Sequence, residues 1–124
     1  MNIPQDLKYT KTHEWIKIEG NKAKVGITDF AQNEITDIVH IELPEQGKEV
    51  KKGFPAAVIE SVKSAFDIYS PVSGKIASIN ETLLSSPETV NRSPYEEGWL
   101  FTVEFYDEKE LSGLLSAQDY QRLI

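Results

Sequence analysis

Apolar and polar residues alternate along this chain in short runs, and each run is cut by glycine, proline or a cluster of polar turn residues. A period of two marks a half-buried strand, and such frequent breaks leave no room for long helices, so the pattern predicts many short strands. Glu14 to Ile18 alternates, Glu19-Gly20-Asn21 supplies a turn, and Ala23 to Ile27 resumes, which predicts a hairpin. Thr28 is a fitting N-cap for a short helix running to Ile35. Asp37 to Leu43 alternates again and stops at Pro44. A loop at Glu45 to Lys48 and a tight turn at Lys51-Lys52-Gly53 follow.

The centre of the chain is the most informative stretch. Ala56 to Val62 and Phe66 to Tyr69 are strand-like runs flanking Lys63-Ser64-Ala65, and Lys75 to Asn80 is a third run beyond Ser70-Pro71-Val72-Ser73-Gly74. Lys63 is therefore expected at a bend between two strands, where a side chain projects into water. Gly53 lies ten residues before it and Gly74 eleven after, suggesting two similar half-units joined at the lysine. Gly74 itself reads as a turn glycine, suited to positive φ. Glu81 to Pro94 is polar and predicts at most one helical turn near Pro87 to Val90. Trp99 to Phe105 is a strong aromatic and β-branched strand. Leu111, Leu114 and Leu115 share a helical face, and Ser116 opens another short helix. The whole reads as a mainly β protein, a small barrel or sandwich with short, mostly C-terminal helices. Its 124 residues suit one domain, 1–124.

Composition removes several function classes. Thirteen basic residues stand against twenty acidic ones, a formal charge of -7, which argues against a nucleic-acid footprint and against an anionic membrane surface. There is no cysteine, so disulfides, thiolate nucleophiles and cysteine metal sites are excluded, and sulfur chemistry would have to arrive on a cofactor. His13 and His40 fall in no metal-ligand spacing. No apolar run reaches the length of a membrane span, and Asn2-Ile3-Pro4 after Met1 resembles no leader. A cytoplasmic location is expected, with a mitochondrial matrix location only if the chain is a mature form.

Lys63 is one of eleven lysines, and a lysine in a turn is most simply a solubilising charge. Covalent carriers nevertheless need this arrangement: a modifying enzyme must reach the ammonium group, and a rigid hairpin must hold the arm clear of the core. The arm then visits several active sites at high effective concentration. Of the other polar candidates, His13 and Trp15 read as structural, Trp99, Phe101 and Phe105 as core, and Glu96-Glu97 as surface charge.

Glu60-Ser61-Val62-Lys63-Ser64, with Tyr69-Ser70-Pro71-Val72-Ser73-Gly74 downstream, closely resembles the lipoylation site of glycine cleavage H proteins. Tyr9 to Trp15, Val25 to Gln32, Asp37-Ile38-Val39, Glu42-Leu43-Pro44, Pro94 to Leu100 and Leu115 to Tyr120 resemble further blocks of that family, in the family's order. Two departures are visible. Thr36 stands where the family often has glycine, and Tyr95-Glu96-Glu97-Gly98 replaces the usual Tyr-Gly-Glu-Gly.

The resemblance implies a barrel-sandwich hybrid with lipoate amide-linked to Lys63. It implies that a lipoyl ligase or lipoyl transferase reads Glu60 and Gly74, and that a pocket built with Thr12, Glu14 and Asp67 shelters the loaded arm. Carboxylates suit that pocket, because an aminomethyl nitrogen is cationic near neutral pH. The implied partners are a pyridoxal phosphate glycine decarboxylase, a tetrahydrofolate-dependent aminomethyltransferase and dihydrolipoyl dehydrogenase, the chain being a non-catalytic shuttle between them. A lipoyl-relay carrier donating to 2-oxoacid dehydrogenase acyltransferase subunits is the nearest alternative. A biotin carrier is disfavoured because Val62 and Ser64, not methionines, flank the lysine. An enzyme using Glu14 or Asp67 as a general base is opposed by the lack of any nucleophile, metal cluster or phosphate loop.

Overall fold

The computed structural model describes residues 1–124. Its strands are β1 (Lys8–Tyr9), β2 (Glu14–Glu19), β3 (Lys22–Ile27), β4 (Ile38–Glu42), β5 (Glu49–Val50), β6 (Pro55–Ser61), β7 (Ala65–Tyr69), β8 (Gly74–Ile79) and β9 (Phe101–Phe105). The helices are α1 (Asp29–Ile35), α2 (Thr82–Ser85), α3 (Thr89–Arg92) and α4 (Ala117–Leu123), with a 3-10 turn at Glu108–Gly113. All strand pairs are antiparallel. They form a six-stranded sheet in the order β1-β2-β3-β9-β8-β5 and a three-stranded sheet in the order β4-β6-β7. The fold is thus mainly β, two sheets with short helices gathered mostly towards the C-terminus, as the alternating pattern requires.

Both sheets turn alternate residues into one apolar core. Ile16, Val25 and Ile27 of the larger sheet share it with Ile41, Ile59 and Ile68 of the smaller, and Ile76, Phe101 and Val103 complete the layer. A second, smaller cluster joins the chain ends: Leu7, Tyr9 and Trp15 pack with Ala117 and Tyr120. There the Tyr9 and Tyr120 rings stack with centroids 4.8 Å apart, and the Trp15 indole donates to the Pro94 carbonyl at 2.8 Å.

Several local expectations need correction. The segment 81–94 holds two helical turns, α2 and α3, on either side of Pro87. Each buries little more than one apolar side chain, Leu83 and Val90, so neither carries a periodic signal. Leu111, Leu114 and Leu115 do not share a helix. The 3-10 turn ends at Gly113, Leu114 is extended, and Leu115 forms a bridge with Tyr9. Gly74 is not a positive-φ turn residue. It opens β8, buried between Val50 and Phe105, and a Cβ there would overlap the Glu104 carbonyl and lie 2.8 Å from the Phe105 Cα. Close strand approach, not turn geometry, demands glycine at this position.

Thr36 supplies the opposite case. It is the C-cap of α1, at φ 68° and ψ -141°, a region that glycine enters freely and a β-branched residue enters with strain. Glycine removes that strain but enlarges the entropy of the unfolded chain. Thr36→Gly is expected to stabilise the protein by about 1 kcal/mol, raising its melting temperature by several degrees. Calorimetry on the two proteins checks this, and an unchanged or lowered melting temperature contradicts it.

Candidate functional site

The β6–β7 hairpin is the structural centre of the site. Glu60 pairs with Ala65, and the strands are closed by the four-residue turn Ser61–Ser64, so β7 begins one residue earlier than the sequence predicts. The Ser61 N–H donates to the Ser64 carbonyl at 2.8 Å. The buried Ser61 hydroxyl accepts from the Lys63 and Ser64 N–H groups, both at 3.2 Å. Neither Val62 nor Lys63 needs positive φ, so the turn is held by a side-chain acceptor instead of the glycine that tight hairpins favour. The Val62 N–H also reaches the Asp37 carbonyl at 3.3 Å, tying the turn to the residue that precedes the neighbouring strand β4. Lys63 stands exposed at this tip, and its ammonium takes part in none of the three ion pairs.

Glu60 lies three residues before the lysine on the outer face of the small sheet. It is paired across the strands with His40, whose Nε2 is 3.8 Å from its carboxylate. Gly74 lies in the other sheet, with its side-chain position filled by the neighbouring strand.

Thr12, Glu14 and Asp67 are brought to one region but do not line one hollow. Asp67 and Thr12 border a depression of about 260 Å³ between β7 and α1, whose floor and walls include Ile27, Phe30, Ile35 and Ile68. Glu14 borders a second hollow of about 220 Å³ on the other side of Thr12, with Lys11, Lys52 and Tyr69. Thr12 forms the rim common to both. Asp67 is exposed, whereas Glu14 is buried, with only 1% of its surface accessible. The Thr10 and Thr12 hydroxyls each donate to Glu14 Oε1 at 2.5 Å, and the Tyr69 N–H donates to Oε2 at 3.3 Å. Burial pushes the Glu14 carboxyl above its ordinary pKa of 4.5, although these donors pull it back.

Sequence reasoning missed Ser61 as the organiser of the turn and Thr10 as a partner of Glu14. The signal for the second was present, threonine hydroxyls four and two residues before a carboxylate. No such signal existed for the Tyr69 amide, which is a backbone group 55 residues away.

These features are those of a carrier protein: two packed sheets present an exposed lysine, outside every ion pair, at the tip of a hairpin whose second strand borders an apolar hollow. The model of the glycine cleavage H-protein family matches residues 7–124, and the chain belongs to that family. It is 73% identical over 124 residues to a glycine cleavage system H protein of Endomicrobium trichonymphae, covering all of both chains. It is 54% identical to the corresponding protein of Oceanobacillus iheyensis, across the whole chain and 98% of that relative. The crystal structure of a glycine cleavage system H protein from Mycobacterium marinum superposes with a TM-score of 0.86 at 36% identity, covering 97% of each chain.

The burial of Glu14 has a consequence for stability. A carboxyl whose pKa is raised on folding binds its proton more tightly in the native state. Its contribution is therefore full below the unfolded pKa and is lost as pH rises through the folded one. Wild type is accordingly expected to lose stability relative to Glu14→Gln as pH rises above the ordinary carboxyl pKa of 4.5. Denaturant melts of both proteins across that rise check the sign, and a difference independent of pH contradicts it.

Proposed function

We propose that this chain, residues 1–124 acting as one carrier domain, bears lipoate in amide linkage on Lys63 and serves as the non-catalytic shuttle of the glycine cleavage system. The observation that carries this reading is the exposed position of Lys63 at the tip of a hairpin whose turn is braced by Ser61. In this role it takes an aminomethyl group from the pyridoxal phosphate glycine decarboxylase to the tetrahydrofolate-dependent aminomethyltransferase, and dihydrolipoyl dehydrogenase then restores the disulfide. Bound lipoate supplies a disulfide whose reduction accompanies uptake of the one-carbon unit. The protein supplies attachment, orientation and shelter, and its lack of cysteine leaves no thiol to exchange with the arm. No helix is long and apolar enough to cross a membrane, and the bacterial character of the relatives favours a cytoplasmic location.

Glu60 and Gly74 have separate parts in this proposal. Glu60 presents a half-exposed carboxylate beside the lysine, within reach of a lipoyl ligase or transferase. Gly74 acts through the strand packing that supports the hairpin, so its replacement by valine disturbs the scaffold as well as any direct recognition. Lys63→Arg is expected to abolish lipoylation, and Glu60→Gln to slow it several-fold with the fold intact. Intact mass and peptide mapping after incubation with ligase read both. Lipoyl groups on another lysine, or an unchanged rate for Glu60→Gln, overturn the respective assignments.

Thr12, Asp67 and Glu14 form the sheltering side of the proposal. Asp67 lies four residues along the chain from Lys63, at most about 13 Å at the rise of an extended strand, a span that a lysine extended by a lipoyl chain covers. An arm laid back along β7 reaches the apolar hollow, with Thr12 and Asp67 at its edge and Glu14 behind Thr12. A cation held there favours ionised Glu14, which burial otherwise opposes. The double variant Glu14→Gln, Asp67→Asn is expected to be lipoylated normally. It should release ammonia and formaldehyde from the loaded carrier several-fold faster, since a charge-assisted hydrogen bond is worth about 1–3 kcal/mol. Equal release from folded, fully loaded proteins removes the sheltering role and leaves the carrier role standing.

A further inference from the structure

We propose that Tyr120, near the opposite end of the chain, is a positioning residue for the hollow beside β7, its hydroxyl fixing the His13 ring and the first turn of α1 as one wall. The inference rests on the sheltering reading of that hollow. Tyr120 touches neither Lys63 nor the hollow and acts through others.

The geometry is a continuous polar chain. The Ala31 N–H donates to Thr28 Oγ1 at 3.2 Å, Thr28 Oγ1 lies 2.7 Å from the Tyr120 hydroxyl, and that hydroxyl lies 2.8 Å from His13 Nδ1. Both Thr28 and Tyr120 are completely buried, so these groups have no water to turn to. His13, Phe30 and Ala31 line the hollow facing Asp67, while Thr28 and Tyr120 lie behind them. The phenol is itself immobilised by its stack on Tyr9.

His13 needs such a clamp. It sits at φ 73°, a conformation held by backbone bonds from its own N–H to the Thr10 carbonyl and from the Thr28 N–H to its carbonyl. Those bonds set the main chain but leave the ring free to rotate about its side-chain torsions. The ring lies 4.8 Å from Phe30, in the apolar wall, and Tyr120 provides its sole hydrogen bond. Without the phenol oxygen, a half-buried ring nitrogen loses its partner and gains by swinging towards water, which opens the wall.

Tyr120→Phe keeps the stacked ring and removes only the hydroxyl. In the unmodified protein it is expected to shift the His13 imidazole nitrogen resonances and to speed hydrogen exchange of the Ala31 amide. In the lipoylated, aminomethyl-loaded protein it is expected to accelerate release of ammonia and formaldehyde several-fold, with lipoylation of Lys63 at the wild-type rate. Ile41→Val, a core change away from this chain of bonds, serves as the stability control: it lowers the melting temperature without either effect. His13→Asn, which tolerates the same backbone region, tests the wall directly if Tyr120→Phe does not fold. Unchanged release in the folded Tyr120→Phe protein, while the Glu14 and Asp67 double variant releases faster, overturns this inference alone. Unchanged release in both overturns the sheltering reading and this inference with it. Equal acceleration by Ile41→Val reduces Tyr120 to a general stabilising role and also overturns the proposal.

Discussion

The apolar layer between the two sheets governs everything presented on the surface. Ile59 of β6 and Ile68 of β7 are buried in it against residues of the larger sheet, and each such side chain contributes about 1.5–3 kcal/mol by leaving water. Because side chains alternate along a strand, burying Ile59 and Ile68 turns Val58, Glu60 and Asp67 to the other face. A slip of one residue would reverse all of them at once. The register of the hairpin, and with it the location of Lys63 at the tip, is thus set by packing several residues away from the lysine.

Glu14 joins the sheets on a different principle. A carboxylate at 1% exposure is costly unless its oxygens are occupied, and here two threonine hydroxyls and one backbone N–H occupy them. The backbone donor comes from the end of β7, so the bond links β2 of the large sheet to the small sheet's edge strand. No buried side-chain nitrogen or oxygen in the protein lacks a partner. Glu14 therefore fastens the sheets to each other at the rim that Thr12 forms between the two hollows.

Helix α1 is bracketed by the only two non-glycine residues with positive φ. Thr36 caps its C-terminus, and the His13 carbonyl accepts from Thr28, its N-cap. Strain of this kind persists where surrounding bonds over-determine the backbone, and it collects at functional sites. At Thr36 the Asn91 side chain donates to the strained residue's carbonyl at 2.7 Å. At His13 the main chain is held by its own N–H to the Thr10 carbonyl and by the Thr28 N–H to its carbonyl, while the Tyr120 hydroxyl meets the ring.

Alternation and turn residues alone determined the β2–β3 hairpin, α1 with its Thr28 cap, the strands on either side of Lys63 and the bend that carries it. These follow from local rules: a period of two, a capping hydroxyl, a break after a run of apolar residues. Strands β1 and β5 escaped, because two residues are too short to show a period. Only the tertiary structure decided that Gly74 is a matter of strand contact, that Leu115 bridges to Tyr9, and that Thr12 divides two hollows, with Glu14 and Asp67 on opposite sides. Alternation states that neighbouring residues face apart but not what lies opposite each face. For Gly74, Glu14 and His13 the opposing atoms belong to Glu104, Tyr69 and Tyr120, brought there by the packing of distant segments.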